Sequence, residues 1–173
     1  MDYKKNIKNK ETRLKILNML SFIPDKMMLQ IEYRIRLGKK LDLKSPKTFT
    51  EKLQWLKLYN RKGLYTTMVD KYDAKKYVST IVGEEYTVPT LGVWDSFEDI
   101  DFSALPSQFV LKCTHDSGSI IICDDKNKLD MQSLKRHFCF HLKNDQYILG
   151  REWPYKNVPR RIICEPLLTD LNA

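Results

Sequence analysis

A lysine that ends an apolar segment, and a small-residue turn directly after it, form the most informative chemical pattern in this sequence. Residues 109–113 read Phe-Val-Leu-Lys-Cys, and residues 114–119 read Thr-His-Asp-Ser-Gly-Ser. A lysine in an apolar strand needs an anion to offset the loss of its hydration. Backbone N–H groups and hydroxyls in a small-residue turn are suited to surrounding phosphate oxygens. We therefore predict a nucleotide clamp formed by Lys112 and the loop residues His115, Ser117, Gly118 and Ser119.

The alternative is a plain β-hairpin with a surface lysine. The pattern is not a Walker A loop, because that motif requires G-x-x-x-x-G-K-[ST] before a helix.

Further candidate ligands lie before and after this loop. Lys71 and Lys75 are four residues apart on a predicted helix and therefore share one face, so they offer a second cation for a polyphosphate. Glu165 ends the last predicted strand and is followed by Pro-Leu-Leu, so the carboxylate and an apolar linker with Leu167 and Leu168 could receive an adenine and its amino group. The alternatives are a solvated helix surface and an ordinary strand terminus.

Other residue combinations indicate chemistry less specifically. His137 and His141 have the i, i+4 spacing of a metal pair, but two ligands leave a zinc site incomplete. Cys113, His115 and Asp116 include nucleophile and base types, although adjacent strand residues point to opposite faces. The four cysteines form no C-x-x-C pair, which favours free buried thiols. A set of aromatic and basic residues could stack on sugar rings or bases, although packing under the nucleotide-binding fold is favoured: Arg151, Trp153, Tyr155 and Lys156.

The elements that must position these residues fall into two regions, and the fold class is α/β in the mixed α+β sense. Residues 1–62 are predicted to be helical, with Thr48 and Glu51 forming a capping box at the start of a third helix. In residues 63–173, Asp70 is expected to cap a helix that ends near Gly83. Strands are predicted at 86–88, 91–94, 109–113, 120–123 and 161–165, and a helix at 130–143.

Charge is distributed unevenly between these regions. Residues 1–62 contain 17 Lys/Arg and 6 Asp/Glu, a local charge of +11, whereas the whole chain carries +8. This asymmetry favours an anionic partner such as nucleic acid, an anionic membrane surface or an acidic substrate, and the alternative is a solvated helical surface. The 42% hydrophobic content excludes a disordered chain. The sequence shows neither a membrane-spanning apolar stretch nor a signal peptide, which predicts a cytoplasmic location, with peripheral association at the inner membrane face left open.

From about Ser45 to Leu168, an ordered series of segments resembles the TupA-like branch of the ATP-grasp superfamily. The matching segments are FTEKLQWLK (49–57), DKY (70–72), VPTLGVW (88–94), LP (105–106), FVLKCTHDSG (109–118), REWPYKN (151–157) and IICE (162–165).

The resemblance implies the N-terminal part of an ATP-grasp-like nucleotide-binding fold, preceded by the basic helical segment. It assigns phosphate contacts to Lys75 and Lys112, the flexible loop to Gly118, and the adenine-binding linker to Glu165, Leu167 and Leu168. The implied activity is ATP-dependent ligation or transfer through an acylphosphate in cell-envelope polysaccharide assembly. With that role, the basic helices suit an acidic polysaccharide or the anionic inner membrane face, and nucleic acid is not the expected partner.

The family continues beyond this pattern with a half that holds the Mg²⁺ ligands, and those residues are absent from the 173-residue sequence. We therefore expect this chain to be a truncated form that is inactive alone. Two alternatives remain open: a glycosyltransferase using a nucleotide-sugar, as family members are often labelled, and a non-catalytic basic binding module.

Overall fold

The computed structural model describes residues 10–169, and they form two compact units. The first, here called the helical unit, contains the chain up to Gly63 together with residues 146–156. The second, here called the sheet unit, contains Leu64–Asp145 and the chain from Asn157 onward. None of the helices in residues 10–169 combines the length and the hydropathy that a membrane span requires.

Three α-helices lie in the part of the helical unit that the structure describes. They are α1 (Lys10–Met19), α2 (Asp25–Leu37) and α3 (Phe49–Tyr59). The capping box predicted at the start of α3 is confirmed, because the Thr48 side chain accepts the Glu51 N–H while the Glu51 carboxylate accepts the Thr48 N–H. Gly38 ends α2 with φ +68°, a left-handed conformation that glycine adopts without steric cost.

Residues 146–156 are held in the helical unit by apolar packing and a buried charge cluster. Tyr147 and Ile148 pack against Leu17 and Met28. Arg151 is 3% exposed, and its guanidinium donates to the Leu20 carbonyl and to Asp25. Arg151 therefore packs inside the helical unit, whereas the sequence analysis favoured packing under the nucleotide-binding fold.

Up to residue 169, the sheet unit contains three α-helices and four strands. The helices are α4 (Leu64–Val69), α5 (Lys71–Val82) and α6 (Met131–Lys143), and the strands are β1 (Gly92–Trp94), β2 (Phe109–Cys113), β3 (Ile121–Cys123) and β4 (Ile162–Pro166). Short 3₁₀ turns lie at Glu84–Tyr86, Phe97–Asp99 and Lys126–Lys128. The strand predicted at 86–88 is wrong, because Tyr86 ends a 3₁₀ turn and the next residues form no strand. The sequence also gave no indication of α4.

The four strands form one antiparallel sheet in the order β1-β4-β2-β3. The predicted hairpin is confirmed, with Val110 opposite Ile122. The last strand, β4, lies between β1 and β2, so it is central in the sheet although it comes last in the chain. Gly92 and Cys164, which are 72 positions apart in the chain, are thereby paired.

Alternation along the central strands gives the sheet two different faces. Phe109, Leu111 and Cys113 of β2 are fully buried with Ile162 and Cys164 of β4 in a core that also includes Phe138 of α6. The intervening residues must point to the opposite face, since strand side chains alternate. Lys112 and Glu165 are among them, so the alternation itself turns these two charged side chains away from the α6 core.

Candidate functional site

Two lysine side chains from different elements converge on one carboxylate. Lys75 Nζ of α5 lies 2.8 Å from Glu165 Oε1, and Lys112 Nζ of β2 contacts Glu165 Oε2. Lys75 also donates to Thr90 Oγ1 at 3.1 Å. The side chains of Lys75 and Lys112 keep 19% and 20% exposure, so neither side chain is fully sealed from solvent.

Strand register brings Lys112 to Glu165. Lys112 pairs with Ile163, so Glu165 lies two residues further along β4 on the same face. Such diagonal neighbours are within reach of long side chains across an antiparallel pair. The sheet therefore positions one lysine and the carboxylate without any loop.

The start of α5 positions the second lysine. Asp70 is 1% exposed and caps the helix by accepting the N–H groups of Tyr72 and Asp73. Its second oxygen accepts from Arg161 Nη2 at 2.7 Å, while the Lys71 N–H donates to the Thr114 carbonyl. These contacts join the helix to the ends of β4 and β2, which places Lys75 one turn along α5.

The three charged groups line a cleft of about 440 Å³ within the sheet unit. Its other walls are largely apolar and come from α4, α5 and the segment before β1. Its lining residues are Met68, Val69, Lys71, Ala74, Lys75, Val78, Thr87, Val88, Lys112 and Glu165. A cleft with apolar walls and a few convergent polar groups is the usual form of a small-molecule site.

Glu165 is ionised in this arrangement. Burial alone would raise its pKa, but hydrogen bonds from Lys112 and Lys75 outweigh burial and hold the Glu165 pKa below its ordinary value. Two ammonium groups and one carboxylate leave the cluster with a net positive charge. The cluster can therefore still attract an anion.

Lys71 lies one helical turn before Lys75, but its ammonium group is bonded to backbone carbonyls of the loop after β2 and not to Glu165. Its Nζ donates to the carbonyls of Cys113 and Asp116, at 2.6 Å for the former. Burial lowers the pKa of Lys71, with the nearby Asp116 carboxylate opposing the shift. Lys71 thus anchors the loop after β2, whereas Lys75 contacts the carboxylate in the cleft.

Internal hydrogen bonds hold most of the loop that follows β2. The Ser119 hydroxyl donates to Asp116 Oδ1 at 2.5 Å and accepts the Cys113 N–H at 2.7 Å. Asp116 Oδ2 accepts from His141 Nδ1 on α6. Burial would raise the pKa of Asp116, but the hydrogen bonds from His141 and Ser119 outweigh it and lower that pKa.

The loop residues predicted as ligands therefore separate into two groups. The side chains of His115 and Ser119 are 2% and 0% exposed and bonded within the sheet unit, so they shape the loop instead of facing the cleft. Ser117 and Gly118 are exposed at its tip, where Gly118 has φ +104°. Past β4, Leu167 is half-buried and Leu168 is 69% exposed.

The burial of His115 predicts loss of stability in mild acid. Its Nε2 donates to the carbonyls of His141 and Asn144, while Nδ1 is buried with no hydrogen-bond partner among the described residues. Burial lowers the pKa of His115, although Asp116 opposes the shift. The unfolded chain therefore binds this proton first, and stability falls as pH drops below about 6.5.

Between pH 7.5 and pH 5.5, we expect the free energy of unfolding to fall less in His115→Gln than in the parent. The difference between the two losses, measured by urea unfolding, should be up to about 1 kcal/mol. His137→Gln, at a half-buried histidine, is the control. Equal losses in parent and His115→Gln would refute the expectation.

The cysteine hydrolase alternative does not fit the geometry. Burial raises the pKa of Cys113 to about 12, and the neighbouring Asp116 carboxylate adds to the shift. The imidazole of His115 is bonded to backbone carbonyls of α6 and its C-cap, Asn144. Cys113 has neither thiolate character nor a base directed at it.

Thiol labelling should follow the same burial pattern. At pH 8 we expect a disulfide reagent to modify Cys139, which is half-buried, while Cys113 and Cys164 react only after denaturation. Both buried thiols have a pKa raised to about 12 by burial. Labelling of Cys113 in the native protein at the Cys139 rate, measured by mass spectrometry, would contradict this.

The histidine pair also has other partners. The rings of His137 and His141 are 4.6 Å apart, but His137 Nε2 contacts the Ser119 carbonyl and His141 contacts Asp116. Within residues 10–169, no group of three or more His, Cys, Asp or Glu side chains could hold a metal ion. The cleft has one lining carboxylate, Glu165, which is engaged by two lysines, so we assign no cleft residue to Mg²⁺.

Comparison with known proteins gives one match. A family model described as TupA-like ATPgrasp matches residues 51–173. No curated protein and no solved structure matches the chain. The matched range includes the lysine pair, Glu165 and the loop after β2.

Proposed function

This chain belongs to the TupA-like ATP-grasp family, and from that premise we propose that the cleft of the sheet unit binds ATP, with Lys75 and Lys112 as ligands of its phosphates. The observation that carries the proposal is the convergence of both ammonium groups on Glu165. One carboxylate holds the two ammonium groups close together in the free protein. The site is therefore preorganised for a polyanion, because the electrostatic repulsion between the two cations is already offset before the ligand binds.

The cleft offers separate surroundings for the two ends of a nucleotide. Apolar side chains such as Val69, Val78 and Val88 line it beside the charged cluster. An adenine ring gains from leaving water for such walls, and phosphates gain from charge-assisted hydrogen bonds to lysine. In this proposal Leu167 and Leu168 flank the base, and the carboxylate of Glu165 keeps the lysines in place.

The loop tip completes the phosphate site in the proposal. Ser117 and Gly118 are exposed, and the backbone N–H groups of such a turn suit an anion. The rest of the loop is fixed by Lys71 and Ser119. We therefore expect only the tip of this loop, and not a long flexible segment, to cover the phosphates.

The proposed reaction class is ATP-dependent ligation or transfer through an acylphosphate, in the assembly of an envelope polysaccharide. A carboxylate attacks the γ-phosphorus of ATP and ADP leaves; a nucleophile on the acceptor then displaces phosphate from the acyl carbon. Lys75 and Lys112 would hold the phosphates and reduce the charge that opposes this attack. Mg²⁺, which the family uses, would supply further charge neutralisation when bound.

Competition binding tests the proposal. A fluorescent ATP analogue is titrated with the 173-residue chain, then displaced with ATP, inorganic tripolyphosphate or a UDP-sugar. We expect displacement by ATP and, more weakly, by tripolyphosphate. Displacement by the UDP-sugar in preference to ATP would overturn the proposal in favour of a nucleotide-sugar transferase, and no saturable nucleotide binding would overturn both.

A further inference from the structure

The outward face of α2, in the helical unit, carries an apolar stripe. Met27, Ile31 and Ile35 follow one another at four-residue intervals and are 54%, 43% and 43% exposed. Just before this helix, Met19 and Phe22 are 76% and 79% exposed. Single exposed apolar residues are ordinary, but several large ones on one helix and its approach indicate an interaction surface.

A cationic cavity of about 490 Å³ adjoins the same helix. Lys26 and Gln30 each precede a stripe residue by one position, which places the cavity beside the stripe on the helix circumference. The cavity is lined by Lys26, Gln30, Lys40, Leu41, Asp42, Leu43 and Lys44.

The charge of this cavity is available to a ligand. The side chains of Lys26, Lys40 and Lys44 make no ion pair or hydrogen bond within the part of the chain that the structure describes. One oxygen of the Asp42 carboxylate accepts the backbone N–H groups of Lys44 and Ser45, which orients it toward its own turn. Residues 26–44 carry six Lys/Arg and two acidic residues.

We propose that this face docks the helical unit on a membrane surface containing anionic phospholipids. The lysine-lined cavity receives the phosphate of a lipid head group, and the stripe enters the boundary between head groups and acyl chains. A basic surface next to exposed apolar side chains is the combination that binds such an interface. A soluble polyanion would pair with the lysines but leave the apolar stripe in water, so the membrane accounts for both observations.

Vesicle sedimentation of the 173-residue chain tests this inference. We expect binding to phosphatidylcholine vesicles with about 30 mol% phosphatidylglycerol, little binding to phosphatidylcholine alone, and weakening by salt. Lys40→Glu with Lys44→Glu should weaken binding by about tenfold or more. Met27→Ser with Ile31→Ser, and separately Phe22→Ser outside the helix, should each weaken it severalfold.

The matched control is Lys128→Glu with Lys135→Glu, which changes the net charge equally but lies in the sheet unit. If this control loses as much binding as the cavity variant, only net charge matters and the inference fails. It also fails if a soluble polyuronate or inorganic phosphate competes fully while the apolar variants bind normally, because the cavity would then serve a free anion. Circular dichroism of each variant confirms that it remains folded.

Discussion

Replacing Lys112 by methionine is expected to weaken ATP binding by about 10- to 100-fold, the range for losing a charge-assisted hydrogen bond. Methionine keeps most of the aliphatic length of the side chain but removes the ammonium group. Glu165 then retains only Lys75, so the cluster changes from net positive to neutral. The attraction for phosphate should fall through both effects. Titration with a fluorescent ATP analogue measures the change.

The matched control for this variant is Lys76→Met. Lys76 is exposed on the same helix as Lys75, with its ammonium over the Tyr72 ring at 4.1 Å, outside the Glu165 cluster. Lys76→Met removes the same charge from the same unit. An equal loss of ATP affinity in both variants would therefore show that only the overall charge matters. Unchanged ATP binding by Lys112→Met would contradict the proposed phosphate site.

The second large effect is expected on stability. Asp70→Ala should lower the free energy of unfolding by about 3 kcal/mol, since it removes a helix cap and leaves a partly buried guanidinium without its closest carboxylate. Asp70 is 1% exposed and lies 2.7 Å from Arg161, whose side chain is 18% exposed. Urea unfolding gives the magnitude, and amide hydrogen exchange in α5 locates the effect.

Asp73→Ala is the control for the stability prediction. Asp73 contacts the same Arg161 at 3.2 Å, but its side chain is 36% exposed, so we expect a loss below about 1 kcal/mol. A double variant, Asp70→Ala with Arg161→Met, should recover part of the loss because no unpaired charge remains. Equal effects of Asp70→Ala and Asp73→Ala would show that burial of the cap does not matter.

Local patterns predicted much of the secondary structure. Thr48 and Glu51 predicted the start of α3, and Asp70 and Gly83 predicted both ends of α5. These signals depend on hydrogen bonds within a few residues, so they are readable along the chain. The segment 64–69 lacks such signals, and the helix there was not predicted.

The sequence predicted which residues belong to the candidate site better than it predicted the contacts between them. The resemblance named Lys75, Lys112 and Glu165, but nothing in the sequence indicated that one carboxylate would hold both lysines. Likewise, Ser119 and His115 have residue types suited to a phosphate loop. Their burial follows from packing against α6, which neighbouring residues in the sequence do not reveal.

By itself, the sequence determined the caps, the strand alternation that turns Lys112 away from the core, and the concentration of positive charge before residue 63. Only the tertiary structure decided that β4 lies between β1 and β2, that Lys71 anchors the loop while Lys75 reaches Glu165, and that residues 146–156 pack with the helical unit. The physical reason is the range of the interactions. Caps and alternation act over a few residues, whereas Lys75 and Glu165 are 90 residues apart and meet only when the sheet forms.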